Sequence, residues 1–148
     1  MKRQLSLLLL LWAGTSLGWA AGQAASGEKT LYQRLGGYDA IAAVTDDLIQ
    51  RFVADPQIKP FFTGLNDAHK KRVRQHLVDF LCQATGGPCA YTGQDMKTAH
   101  TGLHITDEQW QAAVKDVTAS LNKFKVPDRE KGEVLTAVGG LKADIVGQ

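Results

Sequence analysis

Apolar residues recur every three or four positions through most of the chain, and these intervals predict helices. Ile41, Val44, Leu48 and Phe52 form the first stripe, which predicts a helix from Ile41 to about Ala54. The two prolines of DPQIKPFF break it. A second stripe is Val73, Leu77, Phe80, Leu81 and Ala84, with His76 on the same face beside Leu77. TGGP at 85–88 closes that helix, and Gly86 suits a left-handed cap. The third stripe is short: Met96, His100 and Leu103, at i, i+4 and i+7, with Gly102 placed to let the chain leave tightly. TDEQ at 106–109 is a capping box that opens a helix with Trp110, Val114, Val117 and Leu121 on one face. Pro127, at the first helical position, starts a last helix striped by Val134, Leu135, Val138, Leu141 and Ile145. Gly139-Gly140 weakens its middle by about 1 kcal/mol per glycine relative to alanine. No strand-period alternation of useful length and no internal repeat is present, so the fold class is all-α.

The N-terminal segment follows another rule. Lys2 and Arg3 precede the apolar run LSLLLLLWAGTSLGWA, which ends in small residues. This pattern predicts a secretory signal peptide over residues 1–24, with cleavage after Ala20 or Ala24, and one domain over 25–148. The protein is therefore expected to be exported, to the periplasm of a bacterium, with no membrane attachment once the signal is removed. Cleavage changes the charge. Of 17 Lys and Arg the signal takes two and none of the 15 Asp and Glu, which leaves fifteen of each sign. A nucleic-acid partner gets no support from this balance. The remaining residues, about 124, suffice for one core. Cys82 and Cys89 are the only cysteines. In an exported protein they either close a disulfide across QATGGP, which stabilises by roughly 2–3 kcal/mol in the chain-entropy model, or remain free thiols.

Histidines on apolar faces carry the chemistry. A lone case is usually a packed core residue. Here His76 and His100 lie on neighbouring helices that can face each other across a gap. Haem iron takes one or two axial imidazoles, and Phe, Met, Leu and Ile would bury its ring. His100 and His104 are four apart, but HTGLH lacks the glutamate of a zinc protease motif. No CxxCH marks covalent c-type haem attachment. A haem-free protein binding a transition metal through His100, His104 and His69 is the remote alternative. Asp46-Asp47 read as solvated helix residues, and Asp107-Glu108 as capping charges. In HKKRVR, at 69–74, Lys70, Lys71 or Arg74 is either solvated or paired with an anion such as a haem propionate.

From residue 30 to about 146 the chain resembles the group 1 truncated haemoglobins, globins built as a two-over-two helical sandwich around haem. The resemblance rests on LYQRLGG at 31–37, ADPQIKPFF at 54–62, GGP at 86–88 followed by YTG at 91–93, and MKTAH at 96–100. It implies one haem b per chain, with His100 as the proximal iron ligand. It implies further that Met96, Phe61, Ile105 and Tyr91 contact the haem. The sequence departs from the family on the distal side. Leu48-Ile49 replaces a frequent Phe-Tyr pair, Leu77 stands where many members carry glutamine, and Val73 holds the gate position. The distal pocket of Leu48, Ile49, Val73, His76 and Leu77 is then mostly apolar. His76 falls where some members carry a residue able to bind iron. It either supplies a sixth ligand or swings out to a propionate, and its place on the stripe favours the inward pose.

Small-ligand binding (oxygen, nitric oxide, carbon monoxide) ranks first among the implied functions. A bis-histidine redox role, or nitric oxide dioxygenation with an external reductase, is the alternative. A hydrogen bond to a polarised acceptor is worth roughly 1.5–3 kcal/mol. Without the tyrosine and glutamine donors, oxygen retention is expected to be weaker by about tenfold or more.

Overall fold

The computed structural model describes residues 27–148, and the expected signal peptide lies outside them. Three long helices make the frame: α2 (Gly37–Ala54), α3 (Asp67–Ala84) and α5 (Asp107–Lys123). Before them comes a single turn, α1 (Leu31–Arg34), and after them α6 (Asp128–Gly139) and α7 (Lys142–Ile145). A 3₁₀ turn over Lys59–Phe62 and the five-residue α4 (Met96–His100) complete the described chain. Helix α2 packs on both α3 and α5, and α5 packs on α6, which gives the two-over-two arrangement. Among the described residues there is no strand, only an isolated bridge between Ile105 and Val146.

Local signals explain most of the boundaries. Thr106 and Gln109 form the expected capping box, and Thr30 with Gln33 forms another at α1. Helix α3 begins earlier than its apolar stripe because Asn66 caps it, its side chain accepting from the His69 amide. It ends as expected, with Gly86 left-handed at φ +83°.

Three expectations need correction. Pro127 is the residue before the last long helix rather than its first turn. That helix is two helices, because α6 stops at Gly139 and α7 restarts at Lys142, so the two weak helix formers break it rather than merely softening it. Leu103 does not share a helix with His100, because Thr101 turns extended (ψ 129°) and Gly102, at φ +83°, sends the chain away.

The acidic pair on α2 also differs from expectation. Neither Asp46 nor Asp47 is simply solvated. Neighbouring positions on a helix point about 100° apart, so the two carboxylates serve different neighbours. Asp46 takes a bidentate pair from Arg74 of α3, at 2.5 and 2.9 Å. Asp47, 7% exposed, accepts from Lys123, from Arg51 at 2.8 Å and from Ser120 at 2.8 Å, and so fastens α2 to α5. The Lys123 hydrogen bond, before the others, holds its carboxyl far below the usual carboxylate range. Asp107 is more than a capping charge, since it also pairs with Lys142 of α7 at 2.5 Å.

Candidate functional site

The apolar stripes do not meet in a solid core. They line one cavity of ≈ 840 Å³. Ile41, Val44, Leu48 and Phe52 reach it from α2; Val73, His76, Leu77 and Phe80 from α3; Trp110, Val114, Val117 and Leu121 from α5. Met96, Ala99 and His100 of α4 face it, and Val134, Val138, Leu141 and Ile145 line it from α6 and α7 or the turn between them. Its volume falls in the range of cofactor pockets, about 300–1,000 Å³. Protein interiors are close-packed, so a large apolar ligand is what such walls fit.

The two histidines on the walls are held differently. His100 ends α4, and its Nδ1–H donates to the Met96 carbonyl at 2.7 Å. That bond assigns the proton to Nδ1 and leaves the Nε2 lone pair to bind an electrophile. The helix is fixed by Asp95, whose side chain accepts from the Thr98 amide and hydroxyl at 2.9 and 2.7 Å. These hydrogen bonds lower the Asp95 pKa, the backbone amide contributing most. The segment after α4 is tied to the C-terminus by His104 N–H to the Gln148 carbonyl (2.8 Å) and Gly147 N–H to the Ile105 carbonyl (2.9 Å).

His76, on α3, has a buried Nδ1 with no hydrogen-bond partner. Its ring meets the edge of Tyr91, with centroids 5.8 Å apart and planes at 79°. Tyr91 also packs edge-on against Phe80 at 5.4 Å. The tyrosine amide donates to Gln83 and its hydroxyl to the Gln94 carbonyl, both at 2.7 Å. Burial raises the Tyr91 pKa above its ordinary value, with a smaller contribution from Asp95. Cys82 and Cys89 are paired in a disulfide, Cα atoms 5.8 Å apart, which closes the loop leading to Tyr91.

The model of the bacterial-like globins matches residues 30–146. The chain belongs to the truncated haemoglobin family. The group 1 truncated haemoglobin of Mycolicibacterium paratuberculosis is 34% identical over 116 residues, which cover 78% of this chain and 83% of that one. The ferric truncated haemoglobin of Tetrahymena pyriformis superposes with a TM-score of 0.74 at 28% identity, covering 81% of this chain and all of that one. The 2/2 haemoglobin of a Synechococcus species, solved in the cyanomet state with covalently attached haem, gives 0.74 at 25% identity and the same coverage.

Membership of the truncated haemoglobins implies globin-type haem binding, and the cavity can be compared with that requirement. Phe61, Val73, Leu77, Tyr91, Met96, His100 and Ile105 all line it, as do Leu48 and His76. Ile49 does not. Leu48 lies in phase with Ile41, Val44 and Phe52, whereas Ile49 is turned about 100° from that stripe. Phe52 takes its place on the wall. Arg74 is engaged with Asp46, and neither it nor the exposed Lys70 is on the cavity wall. Lys71 is exposed and is not on the cavity wall. Arg72 is the cation of HKKRVR on that wall, and no ion pair engages it among the described residues. It is not among the three expected anion partners, Lys70, Lys71 and Arg74. The phase of α3, with Arg72 four residues before His76, carried the signal. Among the described residues no group of three His, Cys, Asp or Glu side chains converges to hold a metal ion, so His100, His104 and His69 do not assemble.

Proposed function

We propose that the cavity holds one haem b per chain between α3 and α4, with His100 as proximal iron ligand, and that small diatomic gases bind on the α3 side. The observation that carries this reading is the His100 Nδ1–H bond to Met96, because it orients the ring and presents Nε2 within a cavity suited to a porphyrin. The haem would supply an iron able to bind and release a small ligand. The chain supplies the rest. Met96, Phe61 and Ile105 cover apolar ring surface and exclude water. Arg72 at the wall offers a guanidinium to a propionate. Leu48, Phe52, Val73 and Leu77 bring no hydrogen-bond donor to the distal side, so oxygen release is fast when His76 donates none either.

A second reading is favoured by position: His76 lines the same cavity from α3, opposite His100 on α4. Unlike His100, its buried Nδ1 has no hydrogen-bond partner, so no second-shell bond fixes the ring. Binding of this imidazole to iron would make a bis-histidine site suited to redox work. Removal of nitric oxide as nitrate would further require electrons from an external reductase. The Cys82–Cys89 disulfide supports the expected export, since such bonds persist in oxidising compartments.

Titration of the haem-free protein with haemin tests the reading. The expected result is saturation at one haem per chain, with affinity lowered on the order of 100-fold in His100→Gly and recovered on adding imidazole. Undiminished affinity in a folded His100→Gly protein would overturn the assignment.

A further inference from the structure

We propose that the Cys82–Cys89 disulfide is a redox-sensitive tether that holds Tyr91 against His76 and thereby sets the position of the distal histidine. The inference rests on the haem reading above for its effect on ligands, and on the contacts alone for the tether. Cys82 is fully buried, in the cluster with Ile41 and Val78 where α2 meets α3. Cys89 is partly exposed, in the irregular segment after α3, two residues before Tyr91. Between the end of α3 and the start of α4 the chain has no helix. The disulfide is thus the covalent restraint nearest to the tyrosine. What else holds Tyr91 is the exposed Gln83 amide, the Gln94 carbonyl within the same segment, and the edge contacts to Phe80 and His76. His76 has no hydrogen bond at Nδ1 to fix its ring, so packing against Tyr91 does so.

The chemistry needs a dithiol. One thiolate of the donor attacks the Sγ of Cys89, the more exposed residue of the pair, and Cys82 leaves as a thiolate that takes a proton. The second donor thiolate then closes on the mixed disulfide, releasing Cys89 as a thiol. The donor gives up two electrons and ends as its own disulfide.

The test treats the full protein with dithiothreitol and counts thiols. It then follows amide exchange at Tyr91 and carbon monoxide association by the ferrous haem. As two thiols appear, exchange at Tyr91 should accelerate about tenfold or more while α5 keeps its protection. Carbon monoxide association should change by about two- to tenfold, the usual size of an aromatic edge contact. In Tyr91→Ala the change in association should vanish although the thiols still titrate. Titrated thiols with unchanged exchange and association would overturn the proposal, and so would a change that persists in Tyr91→Ala. If the protein takes up no haem, the haem reading fails on its own and exchange at Tyr91 still decides the tether.

Discussion

Two regions surround the cavity, and they are stabilised by different means. The frame of α2, α3 and α5 consists of helices of 18, 18 and 17 residues, with Ile41, Leu48, Val78, Cys82, Trp110 and Leu121 buried. Polar bonds fasten it, Asp47 to Ser120 and Lys123 of α5 and Asp46 to Arg74 of α3. Helix α4, in contrast, is five residues long and buries none of them. Isolated helices of that length do not persist in water. Its order comes from local bonds: the Asp95 cap, the His100 to Met96 bond, and the C-terminal segment paired beside Ile105. The difference teaches where haem matters. The frame is held by its own contacts, while the wall carrying His100, packed on α7, would gain further apolar contact from a haem bound as proposed.

This contrast can be broken from either side. Asp47→Ala should cost about 2 kcal/mol of unfolding free energy, since it removes a buried acceptor shared by Lys123, Arg51 and the buried Ser120 hydroxyl and unfastens α2 from α5. Ligand dissociation from the haem-loaded protein should stay unchanged. A denaturant midpoint equal to wild type would remove Asp47 from the account. The same carboxylates, Asp46 and Asp47, contribute to the acid limit. Their pKa values in the folded state lie below those in the unfolded chain. The stability they contribute is therefore complete above about pH 4 and declines as pH falls further. Asp47→Ala should flatten that decline in a pH series of unfolding curves.

A smaller effect is expected where the frame faces the cavity. Val73→Gln would place a donor on the distal wall and should slow oxygen dissociation about tenfold, measured by stopped flow, with little change in unfolding. The smallest effect belongs to α4. Asp95→Ala removes its N-cap, worth about 1 kcal/mol, and should speed haem loss about fivefold while leaving the frame intact. A drop in global unfolding energy of the haem-free variant would instead show that α4 supports the frame.

The frame was legible from sequence because its stripes are long. Ile41 to Phe52 and Trp110 to Leu121 each run through three turns, and such periods survive in the structure as cavity-facing surfaces. The capping box at Thr106 was equally clear. What escaped notice depended on helical phase or on distant residues. Ile49 fell beside the right position but not on the stripe, and Arg72 was hidden inside a run of like charges. Asp47 looked solvated because its partners Ser120 and Lys123 lie more than seventy positions away. Spacing left the cysteine pair undecided, since only the turn that brings Cys89 back to α3 joins it to Cys82. For the site, the type of residue carried further than its geometry. The proposed role of His100 draws on its motif and on Met96 one turn earlier, both legible in sequence, whereas the bond from its Nδ1 to Met96 required the fold.

The visible spectrum of the ferrous haem-loaded protein, recorded beside His76→Ala, tests the central claim most directly. A haem band in both proteins is predicted, with the variant five-coordinate and high-spin through His100 alone. A wild-type spectrum that is six-coordinate and low-spin would show that His76 binds the iron, and a five-coordinate one that it stands aside. Absence of any haem band after reconstitution with excess haemin, or a variant that stays six-coordinate, would contradict the account.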